Sequence, residues 1–250
     1  MSGHSKWATI KHKKGAADAK RGKMFSKLAK EIMLAAKSGG DPGMNPTLRT
    51  LLQKAKSINM PNDNIDRAVK KGTGELEGGA LESMTYEGYA AGGIGLVVNV
   101  LTDNKNRAAA EIGHTFKRNG SDFAKSGSVS RNFERRGQII VEKQAAEEDK
   151  LMEIVLEAGA DDMIADENGY EILTQPNAYQ GVATALEKAN VPTVSSEVAY
   201  LPTATKPLSD LAAVKSLMKF ISTLEDNDDV QNVYHDAAIT DELMAQAEEN

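Results

Sequence analysis

The glycine-rich run from Gly72 to Ala80 (GTGELEGGA) separates two regions whose apolar residues repeat with different periods, and this break limits the accessible folds more than any other feature. Before it, apolar side chains recur every three to four positions, as on one face of a helix. Beyond it they gather in short runs between turn residues, as in strands that alternate with helices. Little in the run itself can pack, so it is expected to be a boundary between a helical part and a mixed part.

On the N-terminal side, Met24, Leu28, Ile32 and Ala35 or Ala36 predict a helix stopped by Ser38-Gly39-Gly40. Asn45-Pro46 predicts a capping side chain followed by the first residue of a second helix, with Leu48, Leu51, Leu52, Ala55 and Ile58 turned inward. Asn59 to Asn64 reads as the same device opening a third helix. That helix runs through Ile65, Ala68 and Val69 and ends at Lys70-Lys71-Gly72, where cations suit the negative end of the helix dipole. Residues 2 to 23 lack a sustained apolar period and are expected to form an extended or partly ordered arm.

Beyond the break, strands are expected at Met84 to Gly88, Ile94 to Leu101 and Ser128 to Phe133. A helix is expected from Asn104 to Asn119, capped by Thr102 or Asp103. From Gln138 the order becomes strand (to Glu142), helix (Ala145 to Ala158), strands (Asp162 to Ala165, Tyr170 to Leu173), helix (Ala178 to Asn190) and strand (Val194 to Tyr200). This is the split β-α-β unit of ferredoxin-like folds. The remaining helix, Leu208 to Leu224, and strand, Val230 to Tyr234, are too little to fold alone and are expected to return to the earlier sheet. The predicted fold class is α+β with three domains, an N-terminal helical bundle followed by two ferredoxin-like α/β domains, the third inserted into the second. Their expected bounds are 1–80 for the basic arm and helices, 81–135 plus 205–240 for the discontinuous domain, and 136–204 for the insertion.

Charge follows the same divisions. Up to Lys71 there are 16 Lys and Arg against 5 Asp and Glu, residues 72 to 136 hold 8 of each, and from Gly137 onward 6 cations face 23 acids. The net −6 thus conceals a basic module on an acidic remainder, a pattern suited to a polyanion. In the arm, Lys6, Lys11, Lys13, Lys14, Lys20, Arg21, Lys23 and Lys27 surround the single tryptophan, Trp7, with His12 beside them. Cations of this density gain affinity from phosphate by releasing counterions, and an interleaved aromatic can stack on a base. The alternative is a solvated lysine-rich end with Trp7 plugged into the helical core. A second basic group spans Lys105 to Arg136, from which Lys105, Arg107 and Arg131 join the candidate contacts. Asn104, Asn106 and Arg107 would also offer a helix N-terminus to an anion, or else serve only as caps.

Other chemistries find little support. The absence of cysteine excludes disulfides, thiolate zinc sites and a cysteine nucleophile, and fits a reducing compartment, with the cytoplasm expected. The longest apolar stretch, Ile94 to Leu101, is too short to cross a bilayer, and no apolar leader follows the basic start, so no membrane association is expected. His4, His12, His114 and His235 lack metal-ligand spacing. Glu147, Glu148 and Asp149, like Asp226, Asp228 and Asp229, read as solvated caps and turns. Gly72 to Gly74 and Gly92 to Gly95 read as turns. Lys125 to Ser128 could cradle a phosphate but reads more simply as a loop. Neither a catalytic residue, a metal nor a cofactor is expected.

The segments GHSKWATIKHKKGAADAKRGKMFSKLAKEI, NMPNDNIDRAVKKG, YEGYAAGG, LTDNKNRAAAEI and GSVS before Arg131 together resemble the YebC/PmpR family over nearly the whole chain. Its members are described as probable transcriptional regulators and its mitochondrial relatives as translational activators. The resemblance implies a helical domain followed by two α/β domains, regulatory nucleic-acid binding and no cofactor. It carries over Lys6, Trp7, Lys11, His12, Lys13, Lys14, Arg21 and Lys23 as contacts. The function expected is a cytoplasmic DNA-binding transcriptional regulator. The rivals are a translation factor or translational activator that binds ribosomal RNA or tRNA, and a scaffold that meets a protein partner through its acidic α/β domains. DNA and RNA demand the same cations, so charge does not separate them.

Overall fold

The computed structural model describes residues 21–248. In chain order its helices are α1 (Arg21–Ala36), α2 (Pro46–Ser57), α3 (Asn62–Thr73), α4 (Lys105–Arg118), α5 (Glu148–Glu157), α6 (Tyr179–Lys188), α7 (Leu211–Glu225) and α8 (Asp241–Glu248). Its strands are β1 (Glu82–Ala90), β2 (Ile94–Thr102), β3 (Phe133–Glu142), β4 (Asp162–Ala165), β5 (Gly169–Thr174), β6 (Ser195–Pro202), β7 (Lys206–Pro207), β8 (Val230–His235) and β9 (Ala237–Ala238). The fold is mixed α+β. The described chain divides into two compact units, one of residues 21–129 with Asp210–His235, the other of Ser130–Ser209 with residues 236–248.

In the first unit α1, α2 and α3 enclose a core of Leu28, Ile32, Ala36, Leu48, Ala55, Met60, Ile65 and Ala68. Helix α1 starts inside the segment expected to be arm. Asn45 caps α2 as its local sequence implies, its Oδ1 accepting the Leu48 N–H at 3.0 Å, and it does more. Its Nδ2 donates to the carbonyls of Ala35 and Gly39, both at 2.8 Å, so one buried side chain closes the end of α1 and the start of α2. The device does not repeat before α3. Pro61 occupies the cap position without a side-chain bond, and the turn is made by Asn59, whose φ of 57° lies in the left-handed region. Helix α3 runs past Gly72 to Thr73 and stops at Gly74, with φ of 84°. Gly72 is therefore helical, and a Cβ there would overlap the Met33 carbonyl and come within 2.6 Å of Ala36 Cβ. Its missing side chain sets how closely α3 approaches α1.

Strands β1 and β2 form a hairpin from Glu82 opposite Thr102 to Ala90 opposite Ile94, turned by Gly92 and Gly93 with φ of 76° and 70°. Strand β8 adds to the other side of β2, so the antiparallel order is β1-β2-β8 although the chain makes many other elements in between. Helices α4 and α7 meet over this sheet, with Phe116 edge-on to Phe220 at 5.0 Å between ring centroids. The cap of α4 is Asn104, whose Oδ1 accepts the Arg107 N–H at 3.0 Å, rather than Thr102 or Asp103.

The expected strand from Ser128 to Phe133 is absent; a single 3-10 turn, Ser130–Asn132, leads into β3, which begins at Phe133. Glu87 of β1 is the physical cause on the near side. Its buried carboxylate accepts the N–H groups of Gly127 at 2.8 Å and Val129 at 2.7 Å, which draws the loop into a turn with Gly127 at a φ of 81°. The first sheet consequently has three strands, where a ferredoxin-like unit has four.

The second unit has the β-α-β-β-α-β order of β3, α5, β4, β5, α6 and β6, in an antiparallel sheet ordered β4-β5-β3-β6, which is the ferredoxin-like arrangement. Its core is Ile139, Val141, Leu151, Val155, Tyr170, Ile172, Val182 and Leu186. The pair β7 and β9, parallel and two residues long each, and helix α8 complete the unit; the apolar pattern did not announce them.

Asn45→Ala removes a cap and two amide bonds at once, and should lower stability by about 2 kcal/mol. Asn45→Ser keeps an acceptor for the Leu48 N–H without a buried charge facing the Ala35 and Gly39 carbonyls, and should recover part of that loss. Urea unfolding of the three proteins checks both values, and equal midpoints would contradict the role given to Asn45.

Candidate nucleic-acid interface

Helix α1 places Lys23, Lys27 and Lys30 at spacings of four and three, hence along one face. In this unit that face meets the turn leaving α7. Lys23 Nζ donates to the Asp226 carbonyl at 2.9 Å and pairs with its carboxylate at 3.3 Å. Lys27 Nζ donates to the Glu225 carbonyl at 2.7 Å, and Lys30 Nζ to the Asp228 carbonyl at 2.9 Å and Asp229 Oδ1 at 2.6 Å.

Asp229 is the centre of this arrangement and is not the solvated turn residue its sequence context implies. Its side chain is 4% exposed. Besides Lys30, it accepts Arg107 Nη2 at 2.8 Å and the Thr102 hydroxyl at 2.9 Å, while Arg107 also reaches Asp103 at 2.9 Å. Burial pushes the Asp229 carboxyl up, but the hydrogen bonds from Lys30, Arg107 and Thr102 outweigh it and hold the group below the ordinary carboxylate value. The Arg107 guanidinium is pushed up, first by its hydrogen bond to Asp229 and next by that to Asp103.

These pairings sort the basic residues by what they are already doing. Among the candidates, Lys23, Lys27 and Arg107 are engaged as described, and Lys105 pairs with Glu82. Arg21 is exposed at the first residue of α1, and Arg131 is exposed in the 3-10 turn of the other unit. Lys6, Trp7, Lys11, His12, Lys13, Lys14 and Lys20 lie outside the described residues. At the N-terminus of α4 the Asn104 side chain takes the Arg107 N–H and the Arg107 guanidinium is tied to Asp103 and Asp229, so both groups already have partners within the protein. The same holds for Lys125 to Ser128, since the Glu87 carboxylate takes the N–H group of Gly127 and that of the following Val129. Lys37 donates to the Leu81 carbonyl and Lys54 lies 3.9 Å from Glu31.

Arg67, Lys70 and Lys71 differ. They are exposed on α3, spaced at i, i+3 and i+4 on one face, and make no ion pair among the described residues. Sequence reasoning assigned Lys70 and Lys71 to the helix dipole and passed over Arg67; the spacing in DRAVKK was the available signal. Beside this face a cleft of about 350 Å³ lies between α1 and α3, with Phe25, Ala29, Met33, Met60 and Ala68 as apolar lining and Ser26, Asn64, Arg67 and Lys71 as polar lining. Among the described residues no cluster of His, Asp and Glu could hold a metal ion, and no helix is long and apolar enough to cross a membrane.

Because the folded-state value of Asp229 is lowered, its contribution to stability is fully present above the ordinary carboxylate range near pH ~4 and is lost as pH falls through the folded value. Asp229→Asn should cost about 1–3 kcal/mol at neutral pH. The gap between variant and native protein should narrow as pH is lowered to about 3. Urea midpoints measured at both pH values test this, and a gap independent of pH would refute it.

The TACO1/YebC protein N-terminal domain matches residues 5–75, and the TACO1/YebC second and third domain matches residues 81–237. A probable transcriptional regulatory protein of Maridesulfovibrio salexigens is 48% identical over 249 residues, covering 100% of both chains. One from Acidobacterium capsulatum is 51% identical over 234 residues, covering 94% of this chain and 95% of its own. Among solved structures, a conserved hypothetical protein from Aquifex aeolicus superposes with a TM-score of 0.80 at 42% identity, covering 89% of this chain and 92% of that one.

Proposed function

This chain belongs to the TACO1/YebC family, two of whose relatives above are named probable transcriptional regulatory proteins, and from that premise we propose that it is a cytoplasmic DNA-binding transcriptional regulator that grips phosphates through its basic N-terminal module. The observation that carries this reading is the face of Arg67, Lys70 and Lys71, exposed and without ion pairs among the described residues, in a unit where neighbouring lysines are engaged by carboxylates and carbonyls. Unpaired cations at helical spacing match the requirement for counterion release from a phosphate backbone. The arm residues Lys6 to Lys20 and Arg21 extend the same contact in sequence. Lys23, Lys27, Lys105 and Arg107 would join it only by leaving their present partners, so they rank behind α3.

Replacing Arg67, Lys70 and Lys71 together by Gln should weaken binding to duplex DNA. It should also flatten the dependence of log affinity on log salt by about 2–3. Fluorescence anisotropy between about 50 and 200 mM salt reads both quantities. Unchanged affinity and slope would remove α3 from the interface. Crosslinking in cells, with sequencing of bound DNA and RNA, addresses the target: promoter DNA is expected, and ribosomal RNA or tRNA without promoter DNA would overturn transcription as the direct role.

A further inference from the structure

Resting on the nucleic-acid reading, we infer that the cleft between α1 and α3 receives one unpaired nucleobase of the bound strand while Arg67 and Lys71 hold its phosphates. The cleft's volume of about 350 Å³ lies at the lower end of the ~300–1,000 Å³ of small-ligand sites, enough for one base. Its lining divides in the way a nucleotide divides. Phe25 supplies an aromatic ring, Met33 and Met60 supply polarizable thioethers, and Ala29 and Ala68 leave the space between the helices open. On the polar side, Asn64 offers a carbonyl and an amide, the complement of a base edge, and its side chain makes no hydrogen bond among the described residues. Arg67 and Lys71 stand one helical turn apart on α3, and among the described residues no Asp or Glu lines the cleft. An apolar slot for a ring, with a free amide and two cations on its lining, selects a nucleobase with its phosphate over a lipid tail or an acidic peptide. Double-stranded DNA keeps its bases stacked, so the ligand is a single-stranded or opened segment.

The test uses the full chain and three labelled oligonucleotides of equal length: single-stranded DNA, RNA of the same sequence, and abasic DNA. At least one base-bearing strand should bind tenfold or more tightly than the abasic strand, and the better of the two identifies the source. Ala29→Phe, which fills the cleft, should bring that strand to the abasic level and leave abasic affinity unchanged. Asn64→Leu, at the cleft edge, should reduce the same preference and keeps the test open if the first variant does not fold. Equal binding of base-bearing and abasic strands, or variants that fold and keep the preference, would overturn the inference while leaving phosphate binding intact. Failure of all three strands and of a duplex DNA of the same sequence to bind would instead overturn the nucleic-acid reading beneath it, whereas duplex binding without binding of any single strand would overturn the inference alone.

Discussion

Asp229 is a carboxylate removed from water and surrounded by Lys30, Thr102 and Arg107, and the arrangement of the first unit depends on it. Burying a charge costs several kcal/mol unless donors replace the lost water. The donors come from α1, the end of β2 and the first turn of α4, while Asp229 itself sits just before β8. Elements distant in sequence are thereby held to one another through a single group that none can abandon alone. Lys30 and Arg107 keep part of their surface in solvent, with side-chain exposures of 21% and 45%, which limits the cost of their own desolvation. The helical module and the three-stranded sheet are consequently parts of one unit rather than beads on a glycine linker.

This has a direct effect on how the charge of the chain is to be understood. The excess of 16 cations over 5 acids up to Lys71 is a property of the sequence, whereas the field available to a ligand is a property of what remains after internal pairing. Along α1 the lysines face carbonyls and carboxylates of residues 225–229 and contribute to holding the unit together. Along α3 the cations face outward. A basic module can thus spend its cations on cohesion along one helix and leave them in solvent along another, and counting charges does not tell the two apart.

How much of this was legible beforehand follows from the range of the interactions involved. The Asn45-Pro46 start of α2, the apolar run of β2 and the order of the ferredoxin-like unit are written in residues within a few positions of each other, and they were readable. The α+β class followed from them. The turn at 127–132 was misread as a strand because the acceptor that bends it, Glu87, lies some forty residues earlier. Asp229 looked like a member of an acidic surface loop because its partners sit in three other elements. Gly72 looked like a terminator, and only the proximity of Met33 and Ala36 shows it to be a point of contact between helices. Among the basic residues, sequence does not distinguish Lys23 or Arg107, bound to carboxylates, from Arg67, which has no ion pair among the described residues.

The pairing of β2 with β8 carries a consequence for the order in which the chain acquires its structure during synthesis. β2 is the middle strand of its sheet, yet one of its edges has no partner until residues 230–235 have left the ribosome. By then β3, β4, β5 and β6 have all been made and each has its neighbours, since the last of them ends at Pro202. Sequence separation of this kind slows closure and leaves an open strand edge during translation. The unit whose synthesis starts first is the one whose sheet must wait for the chain's late residues.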